Sequence, residues 1–139
     1  MAVRIIVVND HPTIRLHIRA AIDEARDLEV VGEATSGSPA IALMAMVHPD
    51  IVLVDVHSSP ATGLDMTRLV RDRFPRVRVV AVGDVDSGLQ EEAVRAGAWA
   101  FVPTTWKGED VAHVVRSVAQ GSRRGLVDLT AASQRASPR

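Results

Sequence analysis

The chain has 139 residues, of which 47% are hydrophobic and 24% charged, an ordinary composition for one globular domain with room for a core. A net charge of -1, from 16 basic and 17 acidic residues, argues against a surface that grips nucleic acid through phosphate contacts, and 3% aromatics with no tyrosine leave no base-stacking platform. The absence of cysteine excludes disulfides, thiolate zinc sites and thiol catalysis, and no apolar run approaches the roughly 18 residues of a membrane-spanning helix.

Met1-Ala2-Val3-Arg4 leads straight into an apolar run, with neither a basic leader nor a small-residue cleavage site. A cytoplasmic chain without a signal peptide is expected. Ile5-Ile6-Val7-Val8 then reads as a strand buried on both faces, the habit of parallel sheets. Ile14, Ile18, Ala21, Ile22 and Ala25 follow at helical spacing, with Pro12 suited to the first turn. Glu29 to Ala34 is a more polar strand, as at a sheet edge. Ser38-Pro39 predicts a helix start, with Ser38 as N-cap and Pro39 at the first helical position. Ile51-Val52-Leu53-Val54 is a third strand, and Thr62-Gly63-Leu64-Asp65 has capping-box spacing for the next helix. Val77 to Val82 is a fourth strand, interrupted by Arg78, and Ser87-Gly88-Leu89-Gln90 again has capping-box spacing. Trp99 to Val102 is the fifth strand. Val111, Val114, Val115 and Val118 form the stripe of a last helix that Gly121 would cap. After Gly121 large apolar residues thin out, so residues 122–139 are expected to be a linker or flexible tail behind a domain of residues 1–121.

Five strands alternating with five helices predict an α/β fold of the flavodoxin-like type: a (βα)5 doubly wound sandwich with a five-stranded parallel sheet of order 2-1-3-4-5. Its site is expected at the carboxyl ends of the strands. Asn9 and Asp10 follow the first strand and Asp55 ends the third, which lie side by side in that order. The carboxylates of Asp10 and Asp55 then converge in one cleft. With a backbone carbonyl they make an oxygen site of the kind Mg²⁺ takes, and a carboxylate beside Mg²⁺ can attack a phosphoryl donor.

On these residues the chain resembles the receiver domain of bacterial response regulators, especially those joined to helix-turn-helix output domains of the NarL/LuxR type. The resemblance runs over about residues 3–121. It is carried by Val7-Val8-Asn9-Asp10-His11-Pro12, Val30-Val31-Gly32-Glu33-Ala34, the run from His48-Pro49-Asp50 to Asp55, Arg95-Ala96-Gly97-Ala98 and Phe101-Val102-Pro103. It implies Asp55 as phosphoacceptor, and Asp10, Asp55 and the backbone carbonyl of His57 as Mg²⁺ ligands, with Asn9 behind them. Positions 83, 101 and 104, here Gly83, Phe101 and Thr104, are by the same resemblance the switch positions.

Several residues depart from the family pattern. Asn9 stands where an acid is usual, and Gly83 where a Ser or Thr would sense the phosphoryl group. Thr104 replaces a lysine that would pair with phosphoryl oxygens, and a hydroxyl cannot supply that charge. Pro60 falls five residues after Asp55 rather than four, while Gly63 keeps its place. Phe101 keeps the switch aromatic without a hydroxyl. Lys107, the single lysine, is expected outside the cleft. With both partners of the phosphoryl group missing, little differential binding is left to drive a two-state switch.

Three readings follow. In the first, an atypical receiver-like domain controls transcription through an output DNA-binding domain or partner by contact and homodimerisation, with weak or no dependence on phosphorylation. The resemblance places the pairing face on the last helix with either the first helix or the fourth helix and fifth strand. In the second, Asp55 is a conventional Mg²⁺-dependent phosphoacceptor supplied by a histidine kinase, with no enzyme activity beyond its own aspartyl phosphorylation. In the third, the degenerate cleft senses a small molecule. DNA is expected to be met only through a separate output domain, and no membrane is implied. His11 and His57 lie near the cleft but lack metal-ligand spacing. His17, His48 and His113 read as surface or helix-flank residues, Trp99 and Trp106 as partly buried flanks of the last strand, and Arg123-Arg124 as a solvated pair.

Overall fold

A computed structural model describes residues 2–35, 37–57, 60–84, 88–104 and 107–121. In chain order the elements are β1 (Val3–Val8), α1 (Pro12–Asp23), β2 (Leu28–Ala34), α2 (Gly37–Val47), β3 (Ile51–Asp55), α3 (Pro60–Arg73), β4 (Arg78–Gly83), α4 (Leu89–Ala96), β5 (Ala100–Pro103) and α5 (Gly108–Ala119). All strand pairs are parallel, in the order β2-β1-β3-β4-β5. This is the expected doubly wound sheet, with the polar β2 at an edge.

The continuous apolar runs are explained by two cores, one on each face. Strand side chains alternate between faces, so Ile6, Val8, Val52, Val54, Val79 and Ala81 join one buried cluster. Ile5, Val7, Ile51, Leu53, Val80 and Val82 join the other. The first cluster packs against α2, α3 and α4, through residues such as Met44, Val70 and Ala93. The second packs against α1 and α5, through Ile22, Val111, Val114, Val115 and Val118.

Helix starts differ from the sequence expectation. The α2 helix begins at Gly37, so Ser38 and Pro39 lie inside its first turn instead of serving as N-cap and first residue. Pro still suits this place, because first-turn N–H groups have no intrahelical acceptor. The α3 helix begins at Pro60, two residues before the Thr62 capping box. Gly88 occupies the N-cap of α4 with φ +76° and no side-chain cap, and Ser87 lies outside the described residues. Gln120 caps α5, with Gly121 at φ +89° directly after it. The β5 strand is Ala100–Pro103. Trp99 precedes it, its N–H donating to the Val79 carbonyl at 2.8 Å.

Arg78, which interrupts the apolar run of the fourth strand, closes the end of α5. Its Nη1 donates to the carbonyls of Val118 (2.7 Å) and Ala119 (3.0 Å), and its guanidinium lies 4.5 Å from the Trp99 ring centre. Helix-end carbonyls lack intrahelical donors and favour a cation. Trp106, Arg123-Arg124 and the stretch 122–139 lie outside the described residues, and no described helix is long and apolar enough to cross a membrane.

Candidate functional site

The carboxyl ends of β1 and β3 bring Asn9, Asp10 and Asp55 to one cleft of about 150 Å³, which Thr62, Gly63 and Met66 of α3 also line. Asn9 is almost fully buried, at 3% exposure. Its N–H donates to the Ala34 carbonyl (3.0 Å), its Oδ1 accepts from the His11 N–H (2.7 Å), and its carbonyl accepts from Arg15 Nη1 (2.6 Å). Arg15 also lies 3.8 Å from Glu33, which pairs with Arg19 as well. The loop carrying Asp10 is thus fastened to both β2 and α1. Asp10 itself is half open to solvent, with His11 Nε2 4.0 Å away.

Asp55 is half-buried, and its Oδ1 accepts from the His57 N–H at 2.7 Å, an Asx-type turn at the end of β3. Gly63 lets α3 close over this turn. A Cβ there would meet the Asp55 carbonyl oxygen at 2.5 Å and Val56 Cγ1 at 2.7 Å. The same turn of α3 is held by the buried Thr67, whose hydroxyl donates to the Gly63 carbonyl at 2.8 Å. Gly63 stood out in the sequence by its spacing from Asp55; Arg15, Val56 and Thr67 gave no signal there.

The three switch positions do not join the acidic residues lining this cleft. Gly83 is buried beneath Phe101, and a Cβ at position 83 would lie 2.9 Å from Phe101 Cζ and 2.9 Å from Val56 Cγ2. Phe101 is 1% exposed. Thr104 donates its N–H to the Gly83 carbonyl (3.0 Å) and is itself exposed. It lines a separate pocket of about 310 Å³ between α1 and α5, beside His17. Lys107 sits at the N-cap of α5, outside the lining of the acidic cleft.

From the acidic cleft a groove of about 410 Å³ continues between α2 and α3. It shares Gly37, Thr62 and Met66 with the cleft and adds Ile41, Leu69 and Arg73. No group of three or more His, Asp or Glu side chains converges among the described residues. The donors that Asp10, Asp55 and a backbone carbonyl offer are hard oxygens. They suit a cation that keeps several waters.

A parallel (βα)5 domain with an Asn-Asp pair and an aspartate at the carboxyl ends of neighbouring strands belongs to the class of doubly wound signalling domains. Residues 5–116 match the response regulator receiver domain family, and the chain belongs to it. Members of this family are signalling proteins rather than conventional enzymes. The chain is 28% identical over 122 residues to the response regulator protein VraR of Staphylococcus aureus, covering 87% of this chain and 58% of that protein. It therefore spans less than two thirds of the relative's length. The signal receiver domain of the response regulator NarL from Mycobacterium tuberculosis superposes with a TM-score of 0.80 at 26% identity, over 87% of this chain and 98% of that one. A LuxR-family two-component response regulator from Aurantimonas sp. SI85-9A1 shares the fold with a TM-score of 0.80 at 24% identity, over 96% and 99% of the two chains.

Proposed function

We propose that this receiver domain works in the cytoplasm as an atypical module that sets an output by protein contact and homodimerisation, with weak or no dependence on phosphorylation. The observation that carries this reading is the packing at Gly83. Phe101 fills the space that a Ser or Thr side chain would occupy, and its ring is turned inward, 1% exposed. No hydroxyl at 83 and no cation at 104 draw the end of β4 or β5 towards the acidic cleft. A ligand or modification shifts a conformational equilibrium only through differential interactions with the two states, and these two partners are missing. The dimer faces are α5 with α1, or α5 with α4 and β5. DNA is reached through a separate output domain.

The test is intact mass after incubation with acetyl phosphate and Mg²⁺, with Asp55→Ala as control, read together with oligomeric state by light scattering. An oligomeric state unchanged by phosphoryl donor supports the proposal. A phosphoryl adduct that is lost in Asp55→Ala and that changes the oligomeric state overturns it.

A second reading, the Mg²⁺-dependent phosphoacceptor, is favoured by the shared cleft of Asp10 and Asp55. Mg²⁺ held by Asp10, Asp55 and the His57 carbonyl would offset the repulsion between Asp55 and an anionic donor. An Asp55 oxygen would then form the new bond to phosphorus as the bond to a histidine of the kinase breaks. A third reading, small-molecule sensing, is favoured by the groove that prolongs the cleft between α2 and α3.

A further inference from the structure

We infer that the acidic cleft and the α2–α3 groove together form one site for a small amine with an adjacent hydrogen-bond acceptor and an apolar body. This rests on the cleft not being given over to phosphoryl chemistry. Three observations carry it. The first is an unused donor. Asn9 lines the cleft yet is only 3% exposed, and its Oδ1 accepts from the His11 N–H. Its Nδ2 donates to no described residue. Buried polar groups are costly unless paired, so this amide is poised for an acceptor entering the cleft. A bare cation would meet the amide's hydrogens, whereas a carbonyl or hydroxyl oxygen would accept from them.

The second observation is charge. Asp10 and Asp55 line the same cleft as Asn9, and no Lys or Arg lines that cleft among the described residues, while the groove beyond it holds Arg73 and an Asp65 already paired with Arg68 at 2.9 Å. An ammonium group is complementary to the cleft wall, while a ligand carboxylate beside it is not. The third is the groove itself, which joins the cleft at Gly37, Thr62 and Met66 and continues past Ile41 and Leu69. Ligand sites are mostly apolar with a few placed polar groups, and this junction puts the polar groups at one end and the apolar wall at the other. A molecule whose ammonium faces Asp10 and Asp55, and whose neighbouring carbonyl accepts from Asn9 Nδ2, can lay its side chain against Ile41, Met66 and Leu69.

Amino-acid amides of increasing side chain keep this head constant and vary only the body. The full chain would be titrated with glycinamide, alaninamide and leucinamide while the Asn9 side-chain amide and the Met66 methyl are followed by NMR. Leucinamide is expected to move both signals saturably and to bind about tenfold tighter than glycinamide, as part of its side chain leaves water. N-acetyl-leucinamide, which lacks the ammonium, is expected to lose binding. Asn9→Ala should weaken leucinamide by about tenfold, and Ile41→Ser should remove its advantage over glycinamide, both in variants whose spectra show an intact fold. Equal affinities along the series, or equal binding of the acetylated probe, would overturn the site. Leucinamide binding in a protein that also forms an acetyl-phosphate adduct at Asp55 supports the site while removing the reading it rests on. Neither adduct nor binding overturns the site alone.

Discussion

The two ends of the strand-end surface have diverged in what fills them. At β1 and β3, Asp10 and Asp55 keep oxygen chemistry on an open cleft, with loops held by backbone donors such as the His11 and His57 N–H groups. At β4 and β5, Gly83 and Phe101 are closed over by packing, with Val56 as the third member. Polar geometry governs one end and volume the other, so the two should respond to different perturbations.

The strongest way to break the contrast is Phe101→Ala. Emptying that buried volume is expected to cost about 3–5 kcal/mol in stability, read from urea denaturation, with little change in cation binding at Asp10 and Asp55. Loss of cation binding in a still-folded Phe101→Ala protein would show that the two ends are coupled. Next comes Gly83→Thr. The Cβ contacts at 2.9 Å predict overpacking of about 1–3 kcal/mol. Combined with Phe101→Ala, the added side chain would occupy space the ring has left, so the double variant should be more stable than the sum of the two losses. Additive losses would sink the idea that the ring occupies the place of a side chain at 83.

At the other end, Asn9→Asp sharpens the comparison. It replaces an amide that lines the cleft with a third carboxylate, so Mg²⁺ affinity is expected to rise at least about tenfold by calorimetric titration. An unchanged affinity would mean that Asn9 does not face the cation position. The smallest effect lies away from both ends. The Arg116 guanidinium, bonded to Asp27 at 2.6 and 2.9 Å, holds the Asp27 carboxyl below its usual range and ties α5 to the turn between α1 and β2. A carboxyl depressed in the folded state stabilises above its unfolded pKa, and that contribution is lost as pH falls through the folded value. Arg116→Met should therefore be slightly less stable than the parent at neutral pH. The difference should shrink in acid, in unfolding curves recorded at each pH.

The sequence alone determined the order of elements, because five apolar runs separated by helical stripes admit few topologies once parallel crossovers must be right-handed. It also placed Asp10 and Asp55 at neighbouring strand ends, since register along a strand fixes which residue comes last. Helix starts were less legible. The starts of α2 and α3 fall one or two residues from the capping signals because Ser, Thr and Pro are compatible with several first-turn positions. Only the tertiary structure decided what Gly83 means. In the sequence it is a missing hydroxyl, and in the fold it is room for Phe101, a residue 18 positions away whose ring reaches it only because β4 and β5 pair. The same holds for Arg78, an anomaly along its strand that becomes the partner of the α5 carbonyls once β4 is laid beneath that helix. Local periodicity is written along the chain, but the use of a volume or a donor depends on neighbours that only packing brings together.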